Sequence, residues 1–187
     1  MHSSPPALWR SNNLSGQELS GPWRLLLLGD GSPTRHLQLL TGAAVEVELA
    51  AMGPEPDGDP ATPPPEVQDL LAPLLRRQVW LHCGAQPLAW AESWWNQGQA
   101  DLHLQNRQQP IWRSLTSERA ELFREVDGYG LVQAPWLEER FGQAGPYWSR
   151  HYRFFRQGQA LTVIREVFSP ALERWLGPAS AHKNMNF

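Results

Sequence analysis

Hydrophobic and polar positions alternate most clearly in two stretches of the chain. From Trp148 to Pro170 (WSRHYRFFRQGQALTVIREVFSP), two runs of aromatic and β-branched residues flank the polar turn Gln157-Gly158-Gln159, the pattern of a β-hairpin. Successive side chains of a strand point to opposite faces. Thr162, Ile164, Glu166 and Phe168 therefore share one face of the second strand, and Leu161, Val163, Arg165 and Val167 the other. Both faces are mostly apolar, so each is expected to pack against something. A charge on a buried face is costly unless it is paired, so one of Arg165 and Glu166 is expected to serve a site. The second stretch, Arg77 to Trp95 (RQVWLHCGAQPLAWAESWW), reads as another hairpin turning at Gly84-Ala85-Gln86-Pro87. Arg77, Val79, Leu81 and Cys83 lie on one of its faces, and Gln78, Trp80 and His82 on the other.

Shorter patterns fill in the rest. Pro22 to Leu28 predicts a buried helix with proline near its first turn. Ser32 is placed to cap a helix that starts at Pro33, carries Leu37 and Leu40, and stops near Gly42. Val45, Val47 and Leu49 alternate with Glu46 and Glu48, as in a half-exposed strand. Residues 53–65 (GPEPDGDPATPPP) hold six prolines and no large apolar side chain, and predict a loop. Glu66 to Leu75 reads as a short helix opened by Pro65 and disturbed at Pro73, and Leu102 and Leu104 lie in a connecting segment. Thr116-Ser117-Glu118 opens a helix with Leu122, Phe123 and Val126 on its apolar side, ended by residues 127–130. On that helix Arg124 is a surface neighbour of Glu121, and Glu138, Glu139 and Arg140 form a solvated run. Hairpins separated by short helices, without a βαβα rhythm, predict an α+β fold: one antiparallel sheet of about six strands with helices packed on one side of it. One domain is expected over residues 1–187, with 1–13 and 178–187 loosely held.

Composition narrows the function classes. Of 187 residues, 41% are hydrophobic and 19% charged, which is ordinary for a globular domain with a core of its own. Ten Trp point to a core or pocket built from large rings, and 17 Pro to stiff connections. The net charge of −3, with no basic run, argues against a nucleic-acid surface. Cys83 is the one cysteine, which excludes an internal disulfide and a cysteine metal cluster. The longest apolar run, Leu25 to Leu28, is too short for membrane insertion, and no secretion signal is read at the N-terminus, so a cytoplasmic protein is expected. GxGxxG, P-loop, HExxH and GxSxG motifs are absent. The histidines stand singly, so no metal site is expected, and His82 and His151 are read as structural. Trp80, Trp90, Trp94, Trp95 and Trp148 could form a sugar-stacking platform, but core filling is the favoured reading.

Two charges stand out from this background: Arg77, which opens an apolar strand face, and Glu166, between Ile164 and Phe168. They could pair with each other or sit at strand ends in water. They could instead form an anion clamp facing a polar acceptor across an apolar pocket, suited to a small carboxylic acid with a hydroxyl or ether at its far end. Spacing leaves both readings open.

Four segments in order, LLLLGDGSPTRHL, RQVWLHCGAQPLAWAESWW, QPIWRSL and the hairpin ending IREVFSP, resemble the chorismate lyase (chorismate pyruvate-lyase) family from about Leu14 to Pro170. The proline-rich insert and the polar N-terminus are more similar to the divergent branch of photosynthetic bacteria than to ubiquinone-pathway enzymes. The resemblance implies a six-stranded antiparallel sheet with a small pocket beneath two helical flaps. It implies conversion of chorismate to 4-hydroxybenzoate and pyruvate, without metal or organic cofactor, toward the head group of a quinone (plastoquinone or ubiquinone). A monomer acting on a small molecule is expected. By the same resemblance the carboxylate-binding arginine falls on Arg77 and the catalytic or ligand-binding glutamate on Glu166. A backbone contact falls on Ile111 and a flap contact near Ser32, Pro33 and Thr34. The chain departs from the family at two places. Pro33 stands where the flap usually carries methionine; it has no N–H, so Thr34 or Ser32 would have to donate instead. Glu92 stands where some members have arginine, which puts secondary contacts in doubt. The competing reading is a non-catalytic small-molecule-binding domain, similar to the effector domains of bacterial transcription regulators. The negative charge and the lack of a helix-turn-helix pattern before the sheet argue for the enzyme.

Overall fold

The computed structural model describes residues 8–10, 19–55, 63–104, 106, 111, 115 and 122–180. In chain order the elements are β1 (Leu8–Arg10), α1 (Gly21–Leu28), α2 (Pro33–Thr41), β2 (Val45–Pro54), a short 3-10 turn (Pro65–Asp69), β3 (Leu74–Cys83), β4 (Gln86–Asn96), α3 (Gln97–His103), β5 (Phe123–Gln133), α4 (Pro135–Phe141), β6 (Tyr147–Arg156), β7 (Gln159–Phe168), a 3-10 turn (Pro170–Leu172) and α5 (Glu173–Leu176). The strands form one sheet in the order β1-β5-β6-β7-β4-β3-β2, with every neighbouring pair antiparallel. Six long strands and the three-residue β1 at one edge give the α+β architecture expected from the hairpins.

The most apolar strand is the central one. β7 is buried on both faces from Leu161 to Phe168, because β6 and β4 flank it and helices cover both sides. On the first face, Trp23, Leu26 and Leu27 of α1 and Leu37 of α2 pack with Val79, Leu81 and Phe168. Farther along that face, Trp95, Tyr152, Phe154 and Ile164 pack with Ala100 of α3 and with Leu115. On the second face, Trp80, Trp90 and Val167 meet Leu137 and Phe141 of α4, while Val67 and Leu70 cover Trp94 and Val163. Helices therefore pack on both faces rather than one. The indoles of Trp80, Trp90, Trp94 and Trp95 are core filling, as expected.

Several elements depart from the sequence reading. Phe123 to Gly130 is strand, not the end of a helix: Phe123 to Val126 and Gly128 to Gly130 pair with β6, and the Phe123 side chain is exposed. The i, i+3 spacing of Phe123 and Val126 suits a helix, but the ladder with β6 satisfies the backbone and overrides that local pattern. Asp127 is the extra residue of a bulge there, and Gly128 beside it has no room for a side chain. A Cβ at Gly128 would meet the His151 ring at 2.6 Å. The predicted helix start at Thr116-Ser117-Glu118 lies outside the described residues. Between 66 and 75 only a short 3-10 turn forms, and β3 already begins at Leu74. Residues 97–103 are helical; the Asn96 side chain caps them by accepting from Gly98 N at 3.0 Å. Leu8–Arg10 pairs with β5, Ser20 N donates to Ala179 O at 2.8 Å, and Trp23 Nε1 donates to Gly177 O at 2.9 Å.

Candidate functional site

Arg77 and Glu166 come from separate hairpins to the first face of the sheet. β4 lies between them: Arg77 pairs with Ser93, which pairs with Ile164, while Glu166 pairs with Ala91. The two residues are thus two strands apart and offset by two residues, which puts their Cα atoms about 12 Å apart at ordinary sheet spacing. Both line one cavity, whose floor is Val79, Leu81, Ala91 and Ile164. Ser32, Pro33 and Thr34 at the start of α2 cover it, and Ile111 closes another side, so all six expected residues border the same space. The cavity leaves about 50 Å³ open to the centres of water molecules. That is room for about four waters, or one small ring.

The carboxylate and the guanidinium are held differently. Glu166 Oε2 accepts from Arg150 Nε at 2.8 Å, and Oε1 accepts from the Tyr152 hydroxyl at 2.6 Å. Each oxygen keeps a lone pair for one further donor. Burial pushes the Tyr152 hydroxyl far up, and Glu166 adds to the rise, so Tyr152 stays a phenol and a donor. Burial by itself lowers Arg150, but Glu166, Tyr152 and Asp30 together outweigh it and the guanidinium ends above its usual value. Arg77, only 2% exposed, is pushed down to about 10 by burial. A buried cation bordering an apolar cavity is well placed to receive an anion.

Arg150 also ties the site to the segment that covers it. Its Nη1 donates to Leu26 O at 2.7 Å and Gly29 O at 2.9 Å, and its Nη2 to Gly31 O at 3.0 Å. Arg124 Nη1 donates to Asp30 O and Gly31 O, each at 2.6 Å, and its guanidinium stacks 4.5 Å from the rings of Tyr152 and Phe154. The carbonyls of the α1–α2 connection thus point inward onto two arginines. His36 of α2 packs against Gly31, where a Cβ would lie 2.1 Å from its Nε2. Burial first, and then the positive charges of Arg150 and Arg124, lower the His36 pKa. At Ser32 the hydroxyl bonds Thr34 Oγ1 at 2.8 Å and makes no side-chain cap to the helix.

Sequence reasoning missed Arg124, Arg150, Tyr152 and His36. Arg124 lines the cavity and is not the helix-surface neighbour of Glu121 first expected. Alternation along β6 was the available signal, since Arg150, Tyr152 and Phe154 share a parity. A two-residue turn at Gln157-Gly158 with strict pairing, however, sets Ser149 opposite Glu166. A bulge at Leu161 slides the register by one and brings Arg150 there instead. The same bulge places Leu161 in the cluster with Tyr152 and Ile164, not with Val163.

The other charge of the pair on β7 does not border this cavity. Arg165 faces the second side of the sheet, where its Nε donates to Glu92 Oε1 at 2.6 Å, and Gln78 Nε2 donates to Glu92 Oε2 at 3.2 Å. Glu92 therefore lies across the sheet from the cavity and does not disturb it. His82 and His151 pair with Glu48 at 2.7 Å and Glu66 at 3.3 Å, consistent with structural roles. Among the described residues no three His, Cys, Asp or Glu side chains gather to hold a metal ion, and no helix is long and apolar enough to cross a membrane.

An antiparallel sheet with helices on both faces and a charge-flanked cavity beneath the start of α2 defines an α+β domain. This architecture recurs in solved structures. The effector domain of PhnF from Mycobacterium smegmatis superposes with a TM-score of 0.56 at 14% identity, over 78% of this chain and 92% of that one. The C-terminal domain of a histidine utilization repressor from Pseudomonas syringae pv. tomato gives 0.53 at 14% identity, over 73% and 99%. At these identities the likeness is one of fold. Sequence relatives include the uncharacterized protein ycf21 of Porphyra purpurea, 32% identical over 82% of this chain and 83% of its own. The ycf21 protein of Cyanophora paradoxa is 31% identical over 81% and 78%. Residues 27–176 match the family described as Chorismate pyruvate-lyase Rv2949c-like, and the chain belongs to that family.

Proposed function

We propose that the protein is a lyase that converts chorismate to 4-hydroxybenzoate and pyruvate, supplying an aromatic head-group precursor for a quinone. The observation that carries this reading is the meeting of Arg77 and Glu166, from two hairpins, on one ring-sized apolar cavity. Arg77 takes the ring carboxylate through its planar fork of donors. Glu166, fixed by Arg150 and Tyr152, accepts a hydrogen bond from the hydroxyl at the opposite end of the ring. The ether C–O bond then breaks and the ring carbon bearing the hydroxyl loses its hydrogen as a proton. The ring becomes aromatic, and the released enolpyruvate takes up a proton to become pyruvate. Aromatisation drives the step, so the protein contributes positioning, charge control and exclusion of water. Val79, Leu81, Ala91 and Ile164 supply the dry surface. With Pro33 unable to donate, the first N–H groups offered by α2 are those of Thr34 and Arg35.

The test is to incubate the purified protein with chorismate and identify the aromatic acid and pyruvate formed in equal amounts. Arg77→Ala is expected to lower turnover by roughly a hundred- to a thousand-fold with the fold intact; near-normal activity would remove Arg77 from the mechanism. Glu166→Gln tests the acceptor role in the same assay. Binding without turnover is the second reading, favoured by the fold shared with regulator effector domains. Saturable 4-hydroxybenzoate binding with no product from chorismate decides for it.

A further inference from the structure

The proposed reaction leaves one group of the substrate without a partner. Chorismate carries a second carboxylate, on the enolpyruvyl side chain, and the inner cavity has room for little beyond the ring. A second, outer cavity adjoins it, with about 370 Å³ open to water centres. Ser32, Arg124 and Phe154 belong to both linings, so the two spaces meet at these side chains. Arg124 is the cation at that neck. Its guanidinium plane is fixed by Tyr152 and Phe154, and one end is engaged by the Asp30 and Gly31 carbonyls. Its Nε is buried and meets no acceptor among the described residues. Among the described residues of the outer lining the one acidic group is Asp30, which is exposed to solvent.

Resting on the lyase reading, we infer that Arg124 receives the carboxylate of the enolpyruvyl side chain and that the outer cavity is the subsite, and the exit, for the three-carbon acid. The ring acid and the three-carbon acid then occupy different cavities with a separate arginine each: Arg77 for the first and Arg124 for the second. Arg124 is a specificity residue that distinguishes a dicarboxylate substrate from its monocarboxylate product.

The experiment titrates the wild-type protein, Arg124→Gln and Arg124→Lys with 4-hydroxybenzoate and with chorismate, and measures KM where there is turnover. Arg124→Gln is expected to weaken chorismate at least about thirty-fold while 4-hydroxybenzoate changes less than about threefold, and Arg124→Lys recovers part of the loss. Equal losses for both acids overturn the inference, because Arg124 would then act only by holding the α1–α2 connection. Unchanged chorismate affinity overturns it too. In the wild-type protein, pyruvate as a probe competes with chorismate and not with 4-hydroxybenzoate; competition with both acids overturns the inference without recourse to a variant. If chorismate yields no aromatic product, the lyase reading fails, while the ratio of the two affinities still decides the role of Arg124.

Discussion

Arg165 and Glu166 are neighbours on one strand, equally buried, and each is paired with an opposite charge, yet they belong to different kinds of place. On the second face, Arg165 and Glu92 close on each other, Gln78 takes the remaining carboxylate oxygen, and Trp94 lies 5.5 Å from the guanidinium. That pair borders neither cavity. On the first face, Glu166 is held by Arg150 and Tyr152 but keeps a cavity beside it, and Arg150 spends its other donors on the carbonyls of the covering segment. Burial of a charge alone therefore does not mark a site. The distinguishing feature is a partner that also grips a covering segment next to open space.

The comparison can be broken most directly at Arg150. Arg150→Met leaves the buried Glu166 carboxylate with only the neutral Tyr152 donor and takes a donor from the Leu26, Gly29 and Gly31 carbonyls, so urea unfolding should show a loss of about 4 kcal/mol or more, with 4-hydroxybenzoate binding lost as well. A loss no larger than that of a surface change would mean that the first-face pair is not what holds the covering segment. Next in size, Glu92→Ala leaves Arg165 buried without its carboxylate and should cost about 3 kcal/mol. Ligand affinity at the cavity should stay within about twofold. Combining Glu92→Leu with Arg165→Met should return stability close to wild type, since an apolar pair can replace a closed ion pair. A fall in ligand affinity in either variant would join the two faces functionally.

The smallest effect concerns pH. His36 is held below 6.5 by burial and by the positive Arg150 and Arg124, against the opposing pull of Glu166 and Asp30. Below pH 6.5 the unfolded chain takes up a proton that the folded chain resists. His36 thus leaves stability whole above that pH and erodes it as the pH falls, by at most about 1.4 kcal/mol per pH unit. Unfolding midpoints from pH 8 to 5 should decline less steeply for His36→Asn than for wild type, and equal slopes would clear His36 of the effect.

Much of the framework was legible because it is periodic. Alternation identified β7, β3 and the face that carries Arg77 and Glu166, and Gly42 and Gly84 marked a helix end and a turn through backbones of positive φ. The segment 123–130 was misread because three apolar residues fit a helix as well as a strand, and only the ladder with β6 chooses between them. Arg150 and Tyr152 were missed for a subtler reason. One extra residue at Leu161 shifts the pairing of β6, and a local pattern carries no record of where a ladder slips.

By itself the sequence determined which side chains share a face and which segments can be strands, since those follow from a period of two residues and from turn chemistry. Tertiary structure alone decided which charge finds which partner. It set Glu92 against Arg165, Arg150 against Glu166, and Arg124 at the neck of two cavities. The physical reason is range: alternation acts between adjacent residues, whereas the pairing of buried charges depends on register and strand order summed over the whole sheet.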